Sequence, residues 1–302
     1  MRTTSLILTL VVVLGYLSSC AQEGRFGQPD DVWTLGPELV EISALSFTMG
    51  DSLILCLQDE RGTVYGLDPN SGRIRQTWKV AGKGDFEGIE MADSILFLLR
   101  SDGKLYGTRW DNGPSDQVIE IPTGFPEGTD VEGLGYDEQS RLLLLGIKDY
   151  SQDTLEARDP VKGWVYWNLA ESRPQEQVCG LTPDSLQAAI MGQLDDRVRG
   201  KLLKWLDDED GHYPLGPSGI AVHPLTREIW MISSRGKLLM VFRSDGDFDR
   251  VYALNANILP QPEGIAFNRK GDLFIASEGK KNVPARIAVF RLSEEESPAS
   301  KQ

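Results

Sequence analysis

Asp85-Phe86-Glu87-Gly88-Ile89 is echoed by Asp130-Val131-Glu132-Gly133-Leu134, by Gly216-Pro217-Ser218-Gly219-Ile220 and by Gln261-Pro262-Glu263-Gly264-Ile265. A weaker copy, Glu41-Ile42-Ser43-Ala44-Leu45, comes before them. With the residue before the Gly or Ala as a marker, the copies stand at 43, 87, 132, 218 and 263, in steps of 44, 45, 86 and 45. A repeat of about 40–50 residues is the size of one four-stranded propeller blade. The step of 86 holds one blade plus an insertion.

The residues between markers support this reading. After Glu87, short β-rich runs at 88–91, 94–99, 104–109 and 117–121 are separated by Ala92-Asp93, Ser101-Asp102-Gly103 and Asp111-Asn112-Gly113-Pro114. These separators are turn residues. After Glu263, runs at 264–267, 272–276 and 285–292 make three strands, and the chain then runs out of blade. The run 32–35 near the N-terminus is spare and can supply the fourth strand. Closing a ring with strands from both chain ends removes exposed edges. The expected fold is all-β, a single β-propeller of five blades, or six if the insertion hides another. The abundance of Gly (31) and Pro (16) fits a chain with many turns.

The insertion at 182–216, between blades three and four, reads as helical. Thr182 suits an N-cap, Pro183 the first turn and Asp184 the positive end of the helix dipole. Leu186, Ile190, Leu194, Val198 and Leu202 recur at fours and form one apolar face. That face must be buried, and a loop running from rim to axis predicts a lid over the channel mouth, with packing on the outer wall as the alternative.

At the N-terminus, Arg2 precedes an apolar run over 6–17, too short to span a bilayer and suited to a secretory signal. Leu17-Ser18-Ser19-Cys20 follows at once and resembles a bacterial lipobox, which makes Cys20 the lipidated residue. The expected divisions are a lipoprotein signal peptide (1–19), a tether (20–31), the propeller (32–293) and a disordered tail (294–302). The expected location is the cell envelope, anchored by lipid and facing the bacterial periplasm or outer surface. Cys56 sits in the apolar run 53–57 and reads as a packed small hydrophobe; a Cys56–Cys179 disulfide is the alternative outside the cytoplasm. With 31 Lys and Arg against 45 Asp and Glu, the net charge of -14 repels a phosphate backbone, which argues against a nucleic-acid partner.

The recurring stretches, together with Pro217-Ser218-Gly219-Ile220-Ala221-Val222-His223-Pro224 and Ala276-Ser277-Glu278-Gly279, resemble the SdiA-regulated (YjiK-like) β-propeller family in its lipoprotein form. The likeness covers most of residues 38–292. It implies a propeller with calcium-linked roles. The insertion departs from the minimal family pattern.

In a propeller the loop before each inner strand lies on the same face as the loop joining strands two and three. Glu87, Glu132 and Glu263 are therefore expected to ring one channel mouth, with Glu41 nearby and Ser218 in the fourth copy. Asp59, Asp102, Asp149 and Glu278 join that face, with Lys148, Arg235 and Lys280 as basic partners. Converging carboxylates need a cation, basic partners or raised pKa values. Hard oxygen ligands suit Ca²⁺, which makes Glu87, Glu132 and Glu263 the candidate metal ligands. Glu41, Glu87, Glu132, Ser218, Glu263 and Glu278 form the candidate ligand-binding set. The alternative is that these carboxylates staple blades by accepting backbone N–H bonds. His223 reads as a turn residue on the opposite face and His212 as a loop residue. Trp164, Tyr166 and Trp167 read as blade packing. No catalytic residue is assigned. The leading reading is a monomer that binds a small ligand or an envelope protein at the acidic mouth. A calcium-dependent phosphoester or lactone hydrolase and a purely structural scaffold are the other classes.

Overall fold

The computed structural model describes residues 26–150, 161–207, 213–280 and 283–291. The chain begins with β1 (Asp31–Thr34). Blade one is β2 (Ile42–Phe47), β3 (Ile54–Gln58), β4 (Arg61–Leu67) and β5 (Ile74–Lys83). Blade two is β6 (Phe86–Ala92), β7 (Ile95–Arg100), β8 (Lys104–Trp110) and β9 (Pro114–Pro122). Blade three is β10 (Asp130–Asp137), β11 (Leu142–Asp149), β12 (Lys162–Asn168) and β13 (Arg173–Leu181). Helices α1 (Pro183–Gln193) and α2 (Asp196–Leu206) follow. Blade four is β14 (Pro217–Val222), β15 (Ile229–Ser233), β16 (Leu238–Phe242) and β17 (Phe248–Ala253). The last three strands are β18 (Pro262–Phe267), β19 (Leu273–Ser277) and β20 (Arg286–Phe290).

The five sheets have four strands each, and the fifth is completed by β1. β1 runs antiparallel to β20, from Asp31 opposite Val289 to Thr34 opposite Arg286. The ring therefore closes with the N-terminal strand, as the spare run at 32–35 implies. Five apolar clusters fill the five interfaces between blades. A central strand is covered on both faces by neighbouring blades, so its residues need not alternate. The uniformly buried β15 (IWMIS) and β16 (LLMVF) show this. Trp164 and Trp167 are buried in these clusters, as blade packing requires.

The insertion contains two helices where one is expected. Thr182 caps α1, its hydroxyl accepting from Ser185 N at 3.2 Å. Asp195 breaks the run by capping α2, accepting from Arg197 N at 2.8 Å and Val198 N at 3.3 Å. An Asp side chain that satisfies free N–H groups favours a fresh helix start over continuation. Leu186, Ile190, Leu194 and Leu202 are nonetheless buried in the cluster between blades three and four.

The lid expectation fails for α1, which packs on the outer strands β13 and β17. Gln193 accepts from Val251 N at 2.9 Å and donates to Asp249 O at 3.1 Å, extending the outer edge of β17. The apolar face finds its cover at the outer wall because the chain leaves blade three from its outermost strand. Helix α2 reaches the mouth face, where Trp205 lies against Gly236 of the β15–β16 hairpin and Lys201 stands near Lys237.

The segment before β1 is also held to the propeller from Phe26 onward. Phe26 is 3% exposed and meets Trp230, Tyr252 and Phe290 at ring-centroid distances of 5.7, 4.8 and 5.3 Å. Removing a buried aromatic side chain costs about 3–5 kcal/mol. Phe26→Ala should lower the stability of the folded chain by that order in urea unfolding, while an unchanged unfolding midpoint would show that this residue merely rests on the surface.

Candidate functional site

Each inner strand carries a register shift at its marker: between Ile42 and Ala44, Phe86 and Gly88, Val131 and Leu134, Pro217 and Gly219, and Pro262 and Gly264. The marker is thus the extra residue of a β-bulge, a device that re-aims a side chain. The following glycine lets the inner strands meet. A Cβ on Gly219 would stand 2.6 Å from Glu263 O, and one on Gly88 2.7 Å from Leu134 Cβ. Bulge and glycine together carry the marker side chains to one end of the axis.

The two serine markers are spent on joining blades. Ser43 Oγ donates to Phe86 O at 2.8 Å, and Ser218 Oγ donates to Pro262 O at 2.8 Å. Ser218 Oγ also accepts from Ser234 N at 3.1 Å within blade four, so its hydroxyl is engaged in the blade junction. The stapling role therefore falls to the serines. The carboxylates of Glu87, Glu132 and Glu263 accept no backbone N–H among the described residues; they face the mouth.

Glu132 is 6% exposed and is paired with Lys148 of β11. Lys148 Nζ also lies 3.5 Å from Asp130 Oδ2. Burial works against the charge on Lys148, but Glu132 and Asp130 hold its pKa above the ordinary lysine value. Burial pushes Glu132 up to about 7, with Lys148 opposing the rise. Glu87 rises to about 10 through burial and the nearby charges of Glu132, Asp85 and Glu263. Glu263 rises to about 8, mainly through burial and the charge of Glu132, with a hydrogen bond to Ser234 as a partial offset. Lys148, with Lys237 near Glu263, thus answers a larger number of buried acids, and the excess charge is suppressed by retained protons.

A second acidic group flanks the mouth between blades five and one. Glu278 bonds Gln261 and is pushed up to about 7 by burial and by Asp59 and Glu41. Asp59 is raised by burial and by Glu41, and its Oδ1 is buried without a partner. Glu41 therefore belongs to this flank rather than to the Glu132 cluster. Asp149 accepts from the buried Lys162 at 2.6 Å, and Arg235 stands 3.8 Å away. Asp102 is engaged by Arg100 within its own hairpin. No three carboxylate, histidine or cysteine side chains stand together as metal ligands among the described residues. A cation at Glu132 has to displace Lys148.

The rest of the sequence-predicted residues fall as follows. His223 sits on the opposite face, 2% exposed, its Nδ1 accepting from Leu225 N at 3.2 Å and Thr226 N at 3.1 Å, which is a turn role. Cys56 and Cys179 are free thiols, Cys56 fully buried. Cys20 and His212 lie outside the described residues. Lys148 is the partner that the spacing of the markers did not single out from the other basic residues of this face.

No family model and no curated protein matches the chain. Solved structures do. A glutaminyl cyclase of Myxococcus xanthus superposes with a TM-score of 0.57 at 12% identity, covering 89% of this chain and 98% of its own. A luciferin-regenerating enzyme superposes with a TM-score of 0.50 at 10% identity, covering 88% and 96%. The likeness is one of fold. It bears out the propeller in the family resemblance, and the finer likeness to the SdiA-regulated type rests on the repeated stretches.

The raised carboxyls fix the sign of a pH effect. Unfolded, Glu87 and Glu263 ionise near 4.5; folded, they keep their protons to about 10 and about 8. Across that window the folded state binds more protons, so stability falls as pH rises. The urea midpoint should fall between about pH 5 and about pH 9, and Glu263→Gln should flatten that fall. A midpoint that climbs over the same range would contradict the site's electrostatics.

Proposed function

We propose that the chain is an envelope-anchored, ligand-binding propeller of the SdiA-regulated type, whose acidic mouth takes a cationic ligand, Ca²⁺ included. The observation that carries this reading is the crowding of Glu87, Glu132, Glu263 and Asp130 around Lys148, which even with Lys237 near Glu263 does not balance them. A cation entering there relieves repulsion that the protein otherwise suppresses with protons. Binding is then coupled to proton release and tightens as pH rises through the raised carboxyl range.

Calorimetric titration with Ca²⁺ in buffers of different ionisation heat tests this. The expected result is saturable binding with proton release, an affinity that increases from about pH 6 to about pH 9, and loss of binding in Glu87→Gln. Lys148→Met should strengthen binding, because it removes the built-in competitor. If Ca²⁺, Mg²⁺ and Mn²⁺ all fail to bind, the cation reading is lost. Glu132 and Glu263, held near neutral pH, also suit general acid–base chemistry. Turnover of phosphoester or lactone substrates that disappears in Glu263→Gln would favour that second reading.

The anchor belongs to the same proposal. Cys20→Ala should move the protein from the membrane to the soluble fraction, since the lipobox is the membrane signal in the sequence. Membrane retention of this variant in high salt would refute lipid anchoring.

A further inference from the structure

The opposite end of the axis holds a hollow of about 660 Å³, walled by the turns between first and second strands of all five blades. Small-ligand sites occupy about 300–1,000 Å³. Three residues beyond the markers stand Ser46, Glu90, Gly135, Ala221 and Ala266. Four of these are small, which leaves the channel open at this level. The fifth is a carboxylic acid, and Glu90 lines the hollow.

Glu90 is only half satisfied. Its Oε1 accepts from the Ser46 hydroxyl at 2.7 Å and from Met91 N at 2.9 Å. No donor reaches Oε2 among the described residues. The aspartates of the hollow are matched: Asp93 with Tyr136 at 3.1 Å and Arg141 at 2.7 Å, Asp137 with Arg227 at 2.8 Å, and Asp51 with Arg269 N at 2.9 Å, while Glu138 is exposed at the rim. These links tie successive blades together, and none supplies a cation to Glu90. Burial pushes the Glu90 carboxyl up to about 8, against the hydrogen bonds from Ser46 and Met91. Beside it, the wall is apolar, with Phe47, Met91 and Phe267 lining the hollow. The His223 ring backs Phe267 at 4.7 Å and stiffens that wall.

We propose that this funnel is a second ligand site, which takes a small primary ammonium compound with an apolar body. The ammonium sits on Glu90 Oε2, and the body lies against Phe47, Met91 and Phe267. A divalent metal wants several oxygen ligands, and one free carboxylate oxygen does not supply them. A guanidinium is best met by both oxygens of a carboxylate, and Oε1 is already taken. A compact ammonium needs only one. The site is separate from the glutamate mouth, so the two readings stand or fall independently.

The test uses 2-phenylethylammonium as the probe and 2-phenylethanol as its neutral counterpart, followed by calorimetry and by probe-saturation NMR. The ammonium should bind saturably with a Kd of about 1 mM or tighter, and the alcohol at least about tenfold more weakly. Glu90→Gln should weaken the ammonium about tenfold or more, while Glu132→Gln leaves it unchanged. Ala266→Leu, which fills the funnel but keeps the acid, should also block the probe; circular dichroism and thermal unfolding confirm that each variant is folded. Absence of binding to the wild type overturns the proposal. So does binding that Glu132→Gln abolishes and Glu90→Gln does not, because the ammonium would then occupy the other mouth.

Discussion

Five inner strands converge on one axis, and that crowding shapes the rest of the molecule. At Gly219 even a methyl group would run into the carbonyl of Glu263. The chain answers with a glycine or alanine in each inner strand and a bulge immediately before it. The bulge frees one residue per blade from pairing across the sheet. That residue then either clasps the next blade, as Ser43 and Ser218 do, or presents a carboxylate to the mouth. The functional candidates are thus a by-product of how the ring is packed.

The two ends of the axis handle negative charge differently. At the glutamate mouth several acids share Lys148, so burial and mutual repulsion leave carboxyls that hold protons at neutral pH. At the opposite end Asp51, Asp93 and Asp137 are each matched by a donor from another blade or turn. There the aspartates bind the ring together, and Glu90 keeps a free oxygen inside the hollow, away from the exposed Glu138 of the rim. Acidity in this chain is therefore divided between blade linkage and unspent charge.

Ring closure and the insertion solve related problems at the outer rim. β1 covers the edge of β20, and Gln193 of α1 supplies a donor and an acceptor to the edge of β17. Both devices satisfy backbone groups that an open outer strand would leave for other chains. Phe26 adds an apolar clasp between blades four and five, so the chain is fixed to the ring before its first strand begins.

Much of the architecture was legible because it is periodic and local. Marker spacing, turn residues and the unpaired last blade point to five blades closed by the N-terminal run, since a four-stranded unit has a set length and an open edge is costly; the structure removed the sixth blade that the insertion left open. The residue types at the mouth were legible for the same reason: a repeat places equivalent residues at equivalent heights. The break at Asp195 was obscured by leucines that keep a helical spacing through it, and Phe26 by the polar residues around it. The sequence alone determined the propeller, its closure and the gathering of Glu87, Glu132 and Glu263. Only the tertiary structure decided that Lys148 pairs with Glu132 from 16 residues away and that Ser46 meets Glu90 across 44. It also turned α1 of the insertion to the outer wall. Such contacts depend on bulge geometry and on the angle between neighbouring blades, and neither leaves a pattern along the chain.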